Sequence, residues 1–136
     1  MTIKTIYKGE LRTECIHVDS KTSLNTDAPK DNHGRGESFS PTDLVATAAA
    51  SCAITVLALQ AQHDGVELKG TEIDVTKIMT KQPPRRIEKI IMDMKFRTNI
   101  DLSEETKRNY EDIARNCPVL LSLSQDLEKE IRFEWL

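Results

Sequence analysis

Cys15, Cys52 and Cys117 are the three cysteines of this 136-residue chain and its most reactive side chains. A thiolate attacks peroxides and disulfides or ligates metals, and its surroundings decide which of these it does. Cys117 stands in "RNCPVL", where one helix ends and Pro118 opens another. Free amides at the head of that second helix are predicted to stabilise a thiolate and lower the Cys117 pKa. Cys52 lies inside the uncharged run "VATAAASCAITVLALQ" with no cation nearby in sequence. If Cys52 is the attacking thiolate, a cation from elsewhere in the chain must activate it. Cys15, in a half-polar strand segment, reads as packing. No pair is spaced Cys-x-x-Cys, and three cysteines do not make a disulfide scaffold in a reducing compartment. Composition and spacing therefore leave a two-cysteine redox pair, Cys52 with Cys117, open beside inert burial of both.

The elements that must position these thiols follow from pattern. Residues 3–26 hold three β-prone pieces and predict a small antiparallel meander. The Gly-, Pro- and Ser-rich stretch 26–40 is a long loop of the kind that often carries function. A central helix is predicted over 41–63, with Ser40 as N-cap, Pro41 at the first position and Asp43 completing a capping box. A helical wheel gathers Leu44, Val45, Ala48, Cys52, Val56 and Leu59 on one face. The other side is uncharged too, so this helix is expected to be buried nearly all round. It has the length of a membrane span, but its alanines, its Thr, Ser and Gln residues and its lack of basic flanks argue for a core helix.

Alternation predicts a hairpin over 70–98, with Ile90, Met92, Met94 and Phe96 facing in. Two helices follow within 103–124, the first capped at Ser103 with Tyr110 and Cys117 on its inner stripe. A final strand over 129–135 turns Ile131, Phe133 and Trp135 inward. The order predicts a single α+β domain over 1–136.

Hydrophobic residues at 38% and charged residues at 30% describe a globular chain rather than a disordered one. The net charge of −3, with lysines and arginines scattered, offers no nucleic-acid surface. His17, His33 and His63 fall on different segments, so no metal site is expected. "HGRGES" is not a nucleophile elbow, and the basic tip "PPRR" reads as solvated. The first residues lack the apolar run of a secretory signal, which points to a cytoplasmic location.

"SPTDLVATAAASC" followed by "ARNCPVLLSLSQDLE" resembles the OsmC/Ohr family of thiol-dependent peroxidases, specifically its general OsmC-like branch. The likeness in element order covers nearly the whole chain. It implies antiparallel sheets wrapped around a long buried central helix in an intertwined homodimer, with sites at the dimer interface. By position, Cys52 corresponds to the peroxidatic cysteine and Cys117 to the resolving one. The implied activity is reduction of organic hydroperoxides through a Cys52 sulfenic acid and a Cys52–Cys117 disulfide, with an external dithiol as reductant and no cofactor. The glutamate that follows the helix-opening proline in the Ohr branch is Thr42 here. The "Gly-Glu" of the OsmC-like branch is Gly36-Glu37, and Arg35 with Glu37 would supply cation and orienting carboxylate. Leu120 and Leu121 stand where a histidine is frequent. The alternative is a non-catalytic dimer of the same fold that binds an apolar ligand or senses redox state.

Overall fold

The computed structural model describes residues 1–136, in two compact units, Met1–Val45 and Ala46–Leu136. The first is the expected meander: β1 (Ile3–Gly9), β2 (Arg12–His17) and β3 (Ser23–Asp27) pair antiparallel in that order. The loop after β3 is pinned to this sheet. Asp27 donates its amide to the Phe39 carbonyl at 3.0 Å, Ala28 to Leu11 at 3.1 Å, and Ser38 Oγ to the Asn25 carbonyl at 2.8 Å. Gly34 passes so close to the Ala28 carbonyl that a Cβ there would collide with it.

Helix α1 runs from Pro41 to His63 and starts with the expected capping box. The Ser40 amide donates to Asp43 Oδ2 at 2.9 Å, and the Asp43 amide donates back to Ser40 Oγ at 3.0 Å. Such reciprocal caps satisfy two otherwise orphaned donors and contribute about 1 kcal/mol.

The second unit holds β4 (Glu72–Met79), β5 (Ile87–Phe96), α2 (Glu104–Arg115), α3 (Pro118–Ser122) and β6 (Glu128–Trp135). Strand β5 is central, and its alternate residues Ile90, Met92, Met94 and Phe96 are no more than 1% exposed. Burying side chains of this size contributes roughly 1.5–3 kcal/mol each. The sheet departs from the antiparallel expectation at one strand. β4 pairs antiparallel with β5, but β6 runs parallel to it, matching Met92 to Ile131, Met94 to Phe133 and Phe96 to Trp135. α2 and α3 form the crossover that a parallel return requires. The aromatic ends of these strands stack, with Phe96 and Trp135 centroids 4.2 Å apart.

The faces of α1 are also arranged otherwise than the wheel suggests. Within the chain its buried stripe is Ala46, Ala49, Ala50, Ala53, Leu57 and Ala61, while Leu59 is 70% exposed. Small side chains let the helix axis approach the core closely, which bulkier residues would prevent. The helix is therefore buried on one side by its own chain, not all round.

Candidate active site

Cys52 sits at the middle of α1, half-buried at the margin of the apolar core. Cys117 occupies the junction between α2 and α3. Ser103 caps α2, accepting from the Thr106 amide at 3.1 Å, and α2 then places Tyr110, Ala114 and Cys117 in the core with no exposed surface. Pro118 opens α3 directly after the thiol, at the position where its missing N–H costs nothing.

Tyr110 joins the two thiol-bearing segments. Its hydroxyl donates to Asp64 Oδ2 at 2.8 Å, just beyond the end of α1. Burial, together with this hydrogen bond, pushes the Tyr110 pKa up to about 12. Beside it, Trp135 Nε1 donates to Glu111 Oε1 at 2.9 Å, which ties β6 to α2.

Cys52 and Cys117, remote in sequence, are brought to one apolar cluster, Cys117 inside it and Cys52 packed against it, near enough for Cys52 to influence the titration of Cys117. The expectation that the start of α3 lowers the Cys117 pKa is corrected. Burial dominates and raises it, and Cys52 raises it further. The backbone amides at the head of α3, Leu120 and Val119, act in the expected direction, but Cys117 makes no side-chain cap hydrogen bond there and they offset only part of the desolvation. Cys117 thus rests as a protonated thiol at neutral pH.

Arg35 and Glu37 belong to the first unit and do not pair with each other. Arg35 forms an ion pair with Glu10. Glu37 accepts from Arg12 Nη2 at 3.0 Å. Arg12 is held more firmly by Asp27, donating from Nε to Oδ1 at 2.7 Å and from Nη2 to Oδ2 at 2.8 Å. Asp27 is 1% exposed and also accepts the Glu37 amide at 3.1 Å. This bidentate geometry fixes the guanidinium plane as a lone lysine would not be fixed. Arg12 and Asp27 were missed by pattern reading. The available signal was strand register, since the two are directly opposed across β2 and β3.

The Arg12 guanidinium, hydrogen-bonded to Asp27, holds that carboxyl below the usual carboxylate range despite its burial. A depressed folded-state pKa gives a stability contribution that is present above the unfolded value of about 3.9 and is lost as pH falls through the folded value. Asp27→Asn is expected to lower Tm most at pH 7. The gap to the parent protein should close progressively below about pH 4. Thermal denaturation followed by circular dichroism checks this, and a gap constant from pH 7 to pH 2.5 would contradict it.

On its outward face α1 carries an open groove of about 420 Å³ lined by Ile54, Thr55, Val56, Ala58, Leu59 and Gln62. A helix side this apolar, next to a half-buried thiol, is suited to organic surfaces rather than to ions.

Comparison with known proteins places this arrangement. The family described as OsmC-like protein matches residues 34–132, which include both cysteines. A protein from Psychrobacter arcticus 273-4, provisionally described as an osmotic stress induced and detoxification response protein, is 38% identical. Its crystal structure superposes with a TM-score of 0.92 over 98% of this chain and 96% of that one. An organic hydroperoxide resistance protein OsmC from Legionella pneumophila shares the fold at 14% identity, with a TM-score of 0.76 over 98% of this chain and 97% of its own. An organic hydroperoxide resistance protein from Elizabethkingia anophelis does so at 14% identity, with a TM-score of 0.75 over 100% and 97%. Comparison with curated protein sequences finds no match.

Proposed function

Because the chain belongs to the OsmC-like family, we propose that it reduces organic hydroperoxides by two-cysteine chemistry, Cys52 attacking and Cys117 resolving. The observation that carries this reading is the convergence of a half-buried thiol on α1 and a fully buried thiol at the head of α3 on one apolar cluster. The names of the Legionella and Elizabethkingia proteins support the choice of substrate class.

The steps follow from ordinary thiol chemistry. The Cys52 thiolate attacks the distal oxygen of the hydroperoxide, the O–O bond breaks, and the alkoxide leaves and is protonated to the alcohol. Cys52 is now a sulfenic acid. Cys117 sulfur attacks the Cys52 sulfur, the S–O bond breaks, and water departs as the disulfide forms. The amides of Val119 and Leu120, at the head of α3, favour loss of the Cys117 proton in this step. An external dithiol then restores both thiols. Arg35 and Glu37 remain proposed helpers.

We also assign a homodimer built on α1. Its outward groove and the 70%-exposed Leu59 are apolar surface that a second α1 would cover. Light scattering should give twice the chain's 15.4 kDa, and Leu59→Glu should shift the distribution towards monomer. A parent protein that scatters as a monomer would remove this assignment.

The activity is tested by dithiol-dependent loss of cumene hydroperoxide, with hydrogen peroxide as comparator. Faster loss of the organic substrate supports the reading. No loss of either, with both cysteines intact, would favour the ligand-binding or redox-sensing alternative.

A further inference from the structure

Reduction of a buried disulfide poses a question of direction, because the incoming thiol must reach one of two inequivalent sulfurs. Resting on the Cys52–Cys117 disulfide proposed above, we infer that the external thiol attacks the Cys52 sulfur, so that the mixed disulfide forms on Cys52 and Cys117 is the leaving group.

Access carries the inference. Thiol–disulfide exchange depends on which sulfur can be reached, and the attacker approaches along the S–S axis from behind the sulfur it attacks. Cys117 has 0% exposure and shares the core with Tyr110, Ala114 and Leu120, none more than 3% exposed. No thiol reaches its rear side without opening that core. Cys52 is partly exposed on α1. The opposing influence is burial, which makes Cys117 a more basic and so a slower leaving thiolate. A core-buried sulfur that cannot be contacted does not react at all, so access outweighs that penalty.

The step balances as follows. One thiol, RSH, gives its sulfur to Cys52 and its proton to Cys117, leaving Cys52–S–S–R and a Cys117 thiol. A second thiol of the same reductant attacks the R sulfur, returns Cys52 as a thiol and leaves as the reductant's own disulfide. Two electrons pass from reductant to protein.

The experiment traps the intermediate. Diamide, rather than a peroxide, makes the protein disulfide, so the outcome does not depend on peroxidase activity. N-acetylcysteine, a monothiol, is added and the mixture is quenched in acid at successive early times. Free thiols are then blocked with N-ethylmaleimide under denaturing conditions and the peptides are mapped by mass spectrometry. The expected result is the N-acetylcysteine adduct on Cys52 and the maleimide on Cys117, with the Cys52 adduct in about tenfold or greater excess over any adduct on Cys117. An adduct mainly on Cys117, or shared evenly, overturns the inference while leaving the disulfide chemistry standing. If diamide yields no Cys52–Cys117 disulfide, both the inference and the pairing fall. If diamide yields it but cumene hydroperoxide does not, the peroxidase reading fails alone.

Discussion

Cys52→Ser is expected to abolish hydroperoxide reduction, lowering kcat/KM for cumene hydroperoxide by at least about 10³-fold. The exchange removes one property. A serine hydroxyl is close in size to a thiol but is not ionised at neutral pH, so no anion remains to attack the O–O bond. The fold should tolerate the change, because Cys52 is only half-buried on α1 and a hydroxyl there can bond back to a carbonyl one turn earlier in the helix. An unchanged circular dichroism spectrum and a Tm within a few degrees of the parent would show that activity, not structure, was lost. Cys15 is the built-in control. It lies on β2, its sulfur 3.7 Å from Thr5 Oγ1 and 3.7 Å from Thr13 Oγ1. Cys15→Ser should leave turnover unchanged. Residual peroxide consumption by Cys52→Ser that disappears with Cys15 would move the reactive thiol to the first sheet.

The second large effect is a change in kinetic form. Cys117→Ser is expected to consume one equivalent of hydroperoxide per chain and then stop, whereas the parent protein cycles for as long as dithiol remains. Without the buried partner, the Cys52 sulfenic acid has no thiol to condense with. It should be trapped by dimedone and, with excess peroxide, advance to the irreversible sulfinic acid. The substitution also tests the local structure. A hydroxyl at position 117 places an oxygen among fully buried apolar groups. A stability loss of roughly 1–3 kcal/mol is expected on that account. Cys117→Ala should lose the same turnover, so agreement between the two variants separates chemistry from packing. Continued turnover of either variant with dithiol would mean that reductant reaches the sulfenic acid directly and that Cys117 is not required.

Much of the frame that holds these thiols is legible in sequence, and the parts that are not share a cause. Alternation at Ile90, Met92, Met94 and Phe96 marks β5 because a strand buried on one face has no other way to separate its faces. Ser40 with Asp43, and Ser103 before the acidic turn, announce their helices because capping is a local interaction among neighbours in the chain. The inner face of α1 was misread because hydrophobic bulk points to Leu44, Val56 and Leu59, whereas packing at close range selects the alanine stripe. Leu57 is buried with the alanines, while Leu59 stays outward, which is intelligible if a second copy covers it. The parallel direction of β6 depends on where α2 and α3 deliver the chain, and no residue within β6 encodes that.

The candidate site divides in the same way. The helix start that favours a Cys117 thiolate is visible in "NCPV", but the burial that outweighs it arises from the packing of α2 and cannot be seen there. The pairing of Cys52 with Cys117 comes from family resemblance, not from spacing, and the fold brings both to one apolar cluster that no local pattern announces. Arg12 and Asp27 were overlooked because a charged residue at a strand start reads as solvated until register sets its partner opposite. Arg35 and Glu37 drew attention by lying together in sequence, yet each is held by a different residue.

The most direct test is anaerobic. The reduced protein receives one equivalent of cumene hydroperoxide, and its disulfides are mapped by mass spectrometry over time. The expected result is a Cys52–Cys117 disulfide that forms as the peroxide disappears and is absent in Cys52→Ser. Both thiols remaining free while the peroxide persists would contradict the account and leave this fold to be pursued as a binding or sensing dimer.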